Sequence, residues 1–223
     1  MCLVSYVPLK EGYVLSSNRD ESPLRAIHNI STEKIGDRTI HYPSDMGGGS
    51  WIFHSDQNEV ICLLNGAFEP HERRLPYRMS RGLVMKSFFE YPSAVDFFTN
   101  FSFHQIEPFT MVIVTDQEFF EFRWDGYKKH ISTLDRSKVY VWSSCTLYSK
   151  AIIKEREQKF REELSKTKPV SSETIRLIHL LEEPNNLHNG FVMNRSNVVA
   201  TISLTQIVNA DNRLTMNHTN LEV

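Results

Sequence analysis

Residues 13–23 read Tyr13-Val14-Leu15-Ser16-Ser17-Asn18-Arg19-Asp20-Glu21-Ser22-Pro23. The apolar run from Tyr13 to Ser17 has the character of a short β-strand, and four consecutive polar or charged residues end it. Upstream, Cys2-Leu3-Val4-Ser5-Tyr6-Val7 is a second apolar run, and Pro8-Leu9-Lys10-Glu11-Gly12 between them is turn chemistry. The two runs predict a hairpin that begins at the first residues of the chain. Such a hairpin returns Asn18-Arg19-Asp20-Glu21 to the neighbourhood of Cys2.

That neighbourhood gives the segment a chemical meaning. If Met1 is removed, the thiol of Cys2 shares its residue with a free α-amine whose reference pKa is about 7.7 to 8.0. Nucleophile and base then sit together, and the amine can take the thiol proton directly or through one water. Arg19 is always cationic and favours the thiolate, while Asp20 can orient the α-ammonium. The alternative is structural: Cys2 as a small apolar residue of an edge strand, with Arg19 and Asp20 forming a local pair at a solvated strand end. Spacing alone leaves both readings standing.

Further along, a polar stretch runs to Pro43. The run Met46-Gly47-Gly48-Gly49-Ser50-Trp51-Ile52-Phe53 and Val60-Ile61-Cys62-Leu63-Leu64 read as a second hairpin closed at Ser55–Asn58. Ser80–Glu90 and Ser93–Phe101 read as helices separated by Tyr91-Pro92. Phe109–Val114, Phe119–Trp124 and Tyr127–Ser132 predict a three-stranded meander, with Val139–Ser143 as a further strand. Ser149–Leu164 is an amphipathic helix by its charge pattern, and Ser171–Glu182 a second that ends before Pro184. Phe191–Met193, Val198–Ile207 and Leu214–Thr219 return to strands. Sheets at the start, middle and end with two helical pairs between them predict an α+β, four-layer fold: two sheets face to face under outer helices.

At 223 residues, 40% hydrophobic and 23% charged, the chain is expected to form a single domain spanning 1–223. Twenty-five basic against twenty-seven acidic residues give a formal charge of -2, so no basic footprint points to nucleic acid or an anionic membrane surface. The expected partner is a small molecule. Cys2, Cys62 and Cys145 are three widely spaced cysteines without a C-x-x-C pair, as expected in a reducing compartment. No signal-peptide pattern or long apolar stretch is present, and a cytoplasmic location is expected. The histidines lack H-x-x-x-H or H-E-x-x-H spacing, so neither a metal nor a cofactor is expected. Gly47-Gly48-Gly49 is not followed by Lys-Ser/Thr or by a helix; it is read as a close backbone approach rather than a phosphate loop.

An initial Met1-Cys2 followed by Ser17-Asn18-Arg19-Asp20-Glu21-Ser22-Pro23 resembles the NRDE family, also called the Transport and Golgi organisation 2 family. Gly48-Gly49-Ser50-Trp51, Leu64-Asn65, Ser80-Arg81-Gly82-Leu83-Val84 and the segment Trp142–Tyr148 are similar to further elements of that family, in order along the whole chain. The family in turn resembles cysteine N-terminal-nucleophile amidases such as penicillin V acylases and bile salt hydrolases. This implies the αββα sandwich and an activity: hydrolysis or acyl transfer at an amide or related acyl bond of a small molecule.

By the same resemblance Cys2 is the nucleophile, Arg19 and Asp20 are its charge partners, and Asn65 supplies an oxyanion-hole amide. Ser144 stands where the amidases carry a second asparagine, and offers only a hydroxyl. Arg195 corresponds to the distal arginine of the amidase site, and Asn18, Glu21, Trp51 and Arg81 are expected among the substrate contacts. Other readings stay open: Asn65 as a turn residue before Gly66, Trp51 as a core tryptophan, Arg195 as an exposed strand-end arginine. The resemblance also implies a non-enzymatic alternative, a haem or acyl-lipid binding protein on the same fold. Nothing in the sequence specifies the oligomeric state or the natural substrate.

Overall fold

The computed structural model describes residues 3–27, 29–44 and 47–222. Cys2, on which the nucleophile expectation rests, lies outside the described residues. In chain order, β1 (Leu3–Pro8), β2 (Tyr13–Glu21), β3 (Ile30–Ile35), β4 (Arg38–Pro43), β5 (Ile52–Ser55) and β6 (Val60–Asn65) come first. Helices α1 (Arg81–Ser87) and α2 (Ala94–Asn100) lead to β7 (Phe109–Val114), β8 (Phe119–Trp124), β9 (Lys129–Thr133) and β10 (Tyr140–Ser143). Then α3 (Lys150–Lys166) and α4 (Ser172–His179) precede β11 (Asn194–Arg195), β12 (Val199–Ala210) and β13 (Arg213–Asn220). These elements group into two compact units, one of Met1–His28 with Arg136–Val223 and the other of Asn29–Asp135.

The first unit is built on an antiparallel sheet in the order β10-β1-β2-β12-β11, with β13 also paired to β12. Alternation along the strands puts Leu3, Val7, Val14 and Val141 on one face, where they pack with Phe160 of α3, Ile175 and Ile178 of α4, and Phe191. Both helices are capped: Ser149 accepts from the N–H of Ile152, and Ser171 with Thr174 forms a reciprocal capping box. The β1–β2 turn requires Gly12, whose φ is +81° and where a Cβ would fall 2.0 Å from the carbonyl oxygen of Asn209.

The β1–β2 hairpin starts at Leu3, and β2 continues past the expected stop at Ser17 to Glu21, buried through Asp20. Its polar half is inside the sheet because β12 pairs with the whole strand, from Asn209 opposite Tyr13 to Ala200 opposite Glu21. A register shift between Thr201 and Ser203 sets Thr201 opposite Asp20 and Ser203 opposite Arg19. This is an irregularity of the kind that re-aims side chains.

The second unit is an antiparallel sheet in the order β3-β4-β5-β6-β7-β8-β9. Its core is aromatic: Phe98 of α2 stacks on Phe122 of β8 with centroids 4.8 Å apart, and Phe103 lies within 6.1 Å of Phe109 and 5.6 Å of Trp124. The expected meander is present as β7-β8-β9. The β3–β4 hairpin lies in what reads as a polar stretch, because β3 alternates between exposed and half-buried residues and carries no apolar face.

Arg38 on β4 pairs with Glu59 at 2.9 Å, both nearly buried, and also donates to the carbonyls of Phe89, Tyr91 and Pro92. One side chain thus ties the chain after α1 to the sheet. Of Gly47-Gly48-Gly49, only Gly49 makes the expected close approach: a Cβ on it would lie 2.8 Å from the carbonyl carbon of Gly82 in α1, whereas one on Gly47 or Gly48 would meet nothing within 4 Å.

Candidate functional site

The polar end of β2 carries the residues that the sequence singles out, and strand alternation divides them. Asn18 and Asp20 point to one face of the sheet and Arg19 to the other. On the Asn18 face, the amide nitrogen donates to the carbonyls of His179, 3.0 Å away, and Phe191, 2.9 Å away. Its carbonyl oxygen lies 2.7 Å from Nδ1 of His179, whose Nε2 is 2.7 Å from the hydroxyl of Ser5. Because Asn18 Oδ1 can only accept, His179 carries its proton on Nδ1 and Nε2 accepts from Ser5. Burial, and secondarily the cation of Arg156, push His179 down to about 3, so the ring is neutral at working pH.

Ser5, His179 and Asn18 therefore have the connectivity of a hydroxyl, a base and an orienting amide. All three are 0% exposed, and no acyl group reaches a hydroxyl in that position. The chemistry available to them is structural: they lock the end of α4 and Phe191 onto β1 and β2.

Asp20 is next along the same face and is 3% exposed. Thr201 donates to its Oδ1 across 2.6 Å, and the phenol of Tyr148 donates to its Oδ2 across 3.2 Å. Two hydroxyls thus fix the plane of the carboxylate. Thr201 is itself fixed by the N–H of Met193 at 2.9 Å. Arg19, also 3% exposed, donates to the carbonyl of Arg25 in the short 3-10 turn Pro23–Arg25. Glu21 turns outward and pairs with Arg25 at 2.7 Å.

Ser144 is buried, with its hydroxyl 2.9 Å from that of Thr146, and its carbonyl accepts from the N–H groups of Leu147 and Tyr148. It builds the turn that presents Tyr148. Arg195 at the end of β11 donates to the carbonyls of His188 and Leu147, both at 3.1 Å, and its guanidinium lies 5.2 Å from the Tyr148 ring centre. Arg195, Ser144, Asp20 and Asn18 are thus brought into one neighbourhood of the first unit. A pocket of about 320 Å³ in the first unit is lined in part by Thr201, Ala200, Met193, Val192, Leu187 and Glu182. Thr201 belongs both to the pocket wall and to the hydrogen bonds of Asp20.

Three expected site residues lie in the second unit and are placed within it. Asn65 ends β6, with Phe109 opposite it on β7. Trp51 is 3% exposed just ahead of β5, and its carbonyl accepts from the N–H of Leu63. Arg81 opens α1, donating to the carbonyl of Pro108 at 3.3 Å and pairing with Glu107 at 3.4 Å.

Tyr148, Arg156, His179 and Thr201 are the participants that sequence reasoning passed over. Their signal was available only in part: Thr201 lies within an apolar strand, and Arg156 interrupts the otherwise exposed charge pattern of α3. No group of three or more metal-ligating side chains occurs among the described residues, nor any helix long and apolar enough to cross a membrane.

The fold has counterparts among solved structures. An N-acylethanolamine-hydrolyzing acid amidase ortholog of Caenorhabditis elegans superposes with a TM-score of 0.63 over 99% of this chain and 100% of its own, at 10% identity. Penicillin V acylase of Agrobacterium tumefaciens gives 0.50 over 99% and 86%, at 7% identity. A mutant of the conjugated bile acid hydrolase of Clostridium perfringens also gives 0.50, over 99% and 92%, at 8% identity. At such identities the likeness establishes the fold, which is α+β of the N-terminal-nucleophile hydrolase type. No curated protein matches the sequence. A family model described as Transport and Golgi organisation 2 matches residues 1–215, and the chain belongs to the Transport and Golgi organisation 2 family.

Proposed function

We propose that this protein is a cysteine N-terminal-nucleophile hydrolase or acyltransferase acting on an amide or related acyl bond of a small molecule, with Cys2 as the nucleophile. The observation that carries the reading is the carboxylate of Asp20, buried at the end of β2 and fixed by two hydroxyls, one of them from Thr201, a residue that also lines a pocket. A buried carboxylate favours a cation beside it. Leu3, covalently next to Cys2, pairs with Asn18, two residues before Asp20, and the α-ammonium of a processed Cys2 is the cation assigned to that carboxylate. The fold shared with amidases and acylases supports the same assignment.

The steps follow from the residue chemistry. Removal of Met1 frees the α-amine, which takes the thiol proton as sulfur attacks the acyl carbon. The C–N bond breaks as the ammonium returns that proton to the departing amine, leaving a thioester on Cys2. Water, or an acceptor amine in a transfer reaction, then attacks the thioester and restores the thiol. Arg19 favours the thiolate, Asp20 orients the amine, and the pocket beside Thr201 receives part of the substrate. Turnover of a panel of N-acyl amides by the wild type, with complete loss in Cys2→Ala, tests the proposal; equal turnover by the variant would sink it.

A further inference from the structure

Tyr148 joins two guanidinium groups to Asp20. Its ring lies 4.3 Å from the guanidinium carbon of Arg156 and 5.2 Å from that of Arg195, while its hydroxyl donates to Oδ2 of Asp20. Arg156 is 3% exposed on α3. It donates to the hydroxyl of Ser143 and the carbonyls of Asn189 and Gly190. Among the described residues no carboxylate pairs with it, and its Nη2 is buried without a partner. A buried cation ordinarily has an anionic partner. Here carbonyl dipoles and the faces of Tyr148 and Phe191 take that place.

Cations against an aromatic ring draw electron density from it, and a phenol so polarised is a stronger donor to a carboxylate. We infer that Tyr148 is a positioning residue for Asp20, holding the carboxylate in orientation and relaying to it the positive charge of Arg156 and Arg195. The inference rests on the reading above, in which Asp20 orients the α-ammonium of residue 2. Its consequence is quantitative. A strong donor at Oδ2 takes up part of the charge of Asp20, so the ammonium is held less tightly and gives up its proton nearer neutral pH. Without the donor, the amine becomes more basic.

The test is a titration of the amine itself, independent of turnover. In a Cys2→Ser background with Met1 removed, the Cα carbon shift of residue 2 reports the α-amine alone. Adding Tyr148→Phe keeps the ring and both guanidinium contacts and removes only the hydroxyl. The midpoint is expected to rise by about one pH unit, tenfold in the protonation constant. A 3-fluorotyrosine incorporated at position 148, a more acidic phenol, is expected to lower it, and this arm stands if Tyr148→Phe does not fold. Unchanged midpoints in both, even with a lowered melting temperature, would overturn the inference and leave Tyr148 a packing residue. The hydrolase reading is judged separately, by turnover in the wild type.

Discussion

His179 Nδ1 and Asn18 Oδ1 lie 2.7 Å apart at the meeting of α4 and β2, both side chains wholly buried. The contact fixes a tautomer, a rotamer and the end of a strand at once. It also explains why an asparagine precedes Arg19 and Asp20, since only a side chain that accepts from an imidazole and donates to two carbonyls satisfies this corner.

Substitution at Asn18 should therefore act on stability before chemistry. Asn18→Ala leaves the Nδ1–H of His179 and the carbonyls of His179 and Phe191 without their partner, and is expected to cost about 3 kcal/mol. Asn18→Asp should be no better, because its second oxygen faces two carbonyl oxygens. Urea unfolding measures both, and an aspartate variant as stable as the wild type would be inconsistent with this corner.

Stability should fall on mild acidification. Burial, with a contribution from His41 stacked 4.8 Å away, pushes His54 down to about 4, and His179 lies at about 3, against 6.5 for an unperturbed imidazole. Between 6.5 and 4 the unfolded chain binds these protons and the folded chain does not, so stability decreases as pH falls. The slope is about 1.4 kcal/mol per pH unit for each ring. Urea midpoints between pH 6.5 and 5 should show it, with the slope roughly halved in His54→Phe. A slope unchanged by that substitution would exclude His54 as a contributor.

The ion pair of Arg38 and Glu59 predicts an asymmetry. Arg38→Met strands a buried carboxylate and three backbone carbonyls, at an expected loss of about 3–5 kcal/mol. The double variant Arg38→Met with Glu59→Met should recover much of that loss, because no buried charge is then left alone. A double variant no more stable than Arg38→Met would contradict this asymmetry.

What the sequence shows of this molecule follows the physics of each signal. Apolar periodicity and turn chemistry are local, and they reveal the β1–β2 hairpin, the β7–β9 meander and helices α3 and α4 to within a few residues. The true length of β2 is not local: Arg19 and Asp20 are strand residues only because β12, some 180 positions later, pairs with them. The β3 strand is invisible because half-exposed alternation gives it no apolar face. Arg19 and Asp20 stand out as charges ending an apolar run, whereas Tyr148, Thr201 and His179 are ordinary residues until folding brings them to Asp20 and Asn18.

The central claim is that residue 2 is a processed, acylated nucleophile, and intact-mass spectrometry tests it most directly. Protein incubated with an activated acyl amide and quenched in acid should have lost Met1 and gained one acyl group. Peptide mapping should place that group on Cys2, with none formed in Cys2→Ala. Active protein that retains Met1, or an acyl group found on Cys62 or Cys145 instead, would contradict the account.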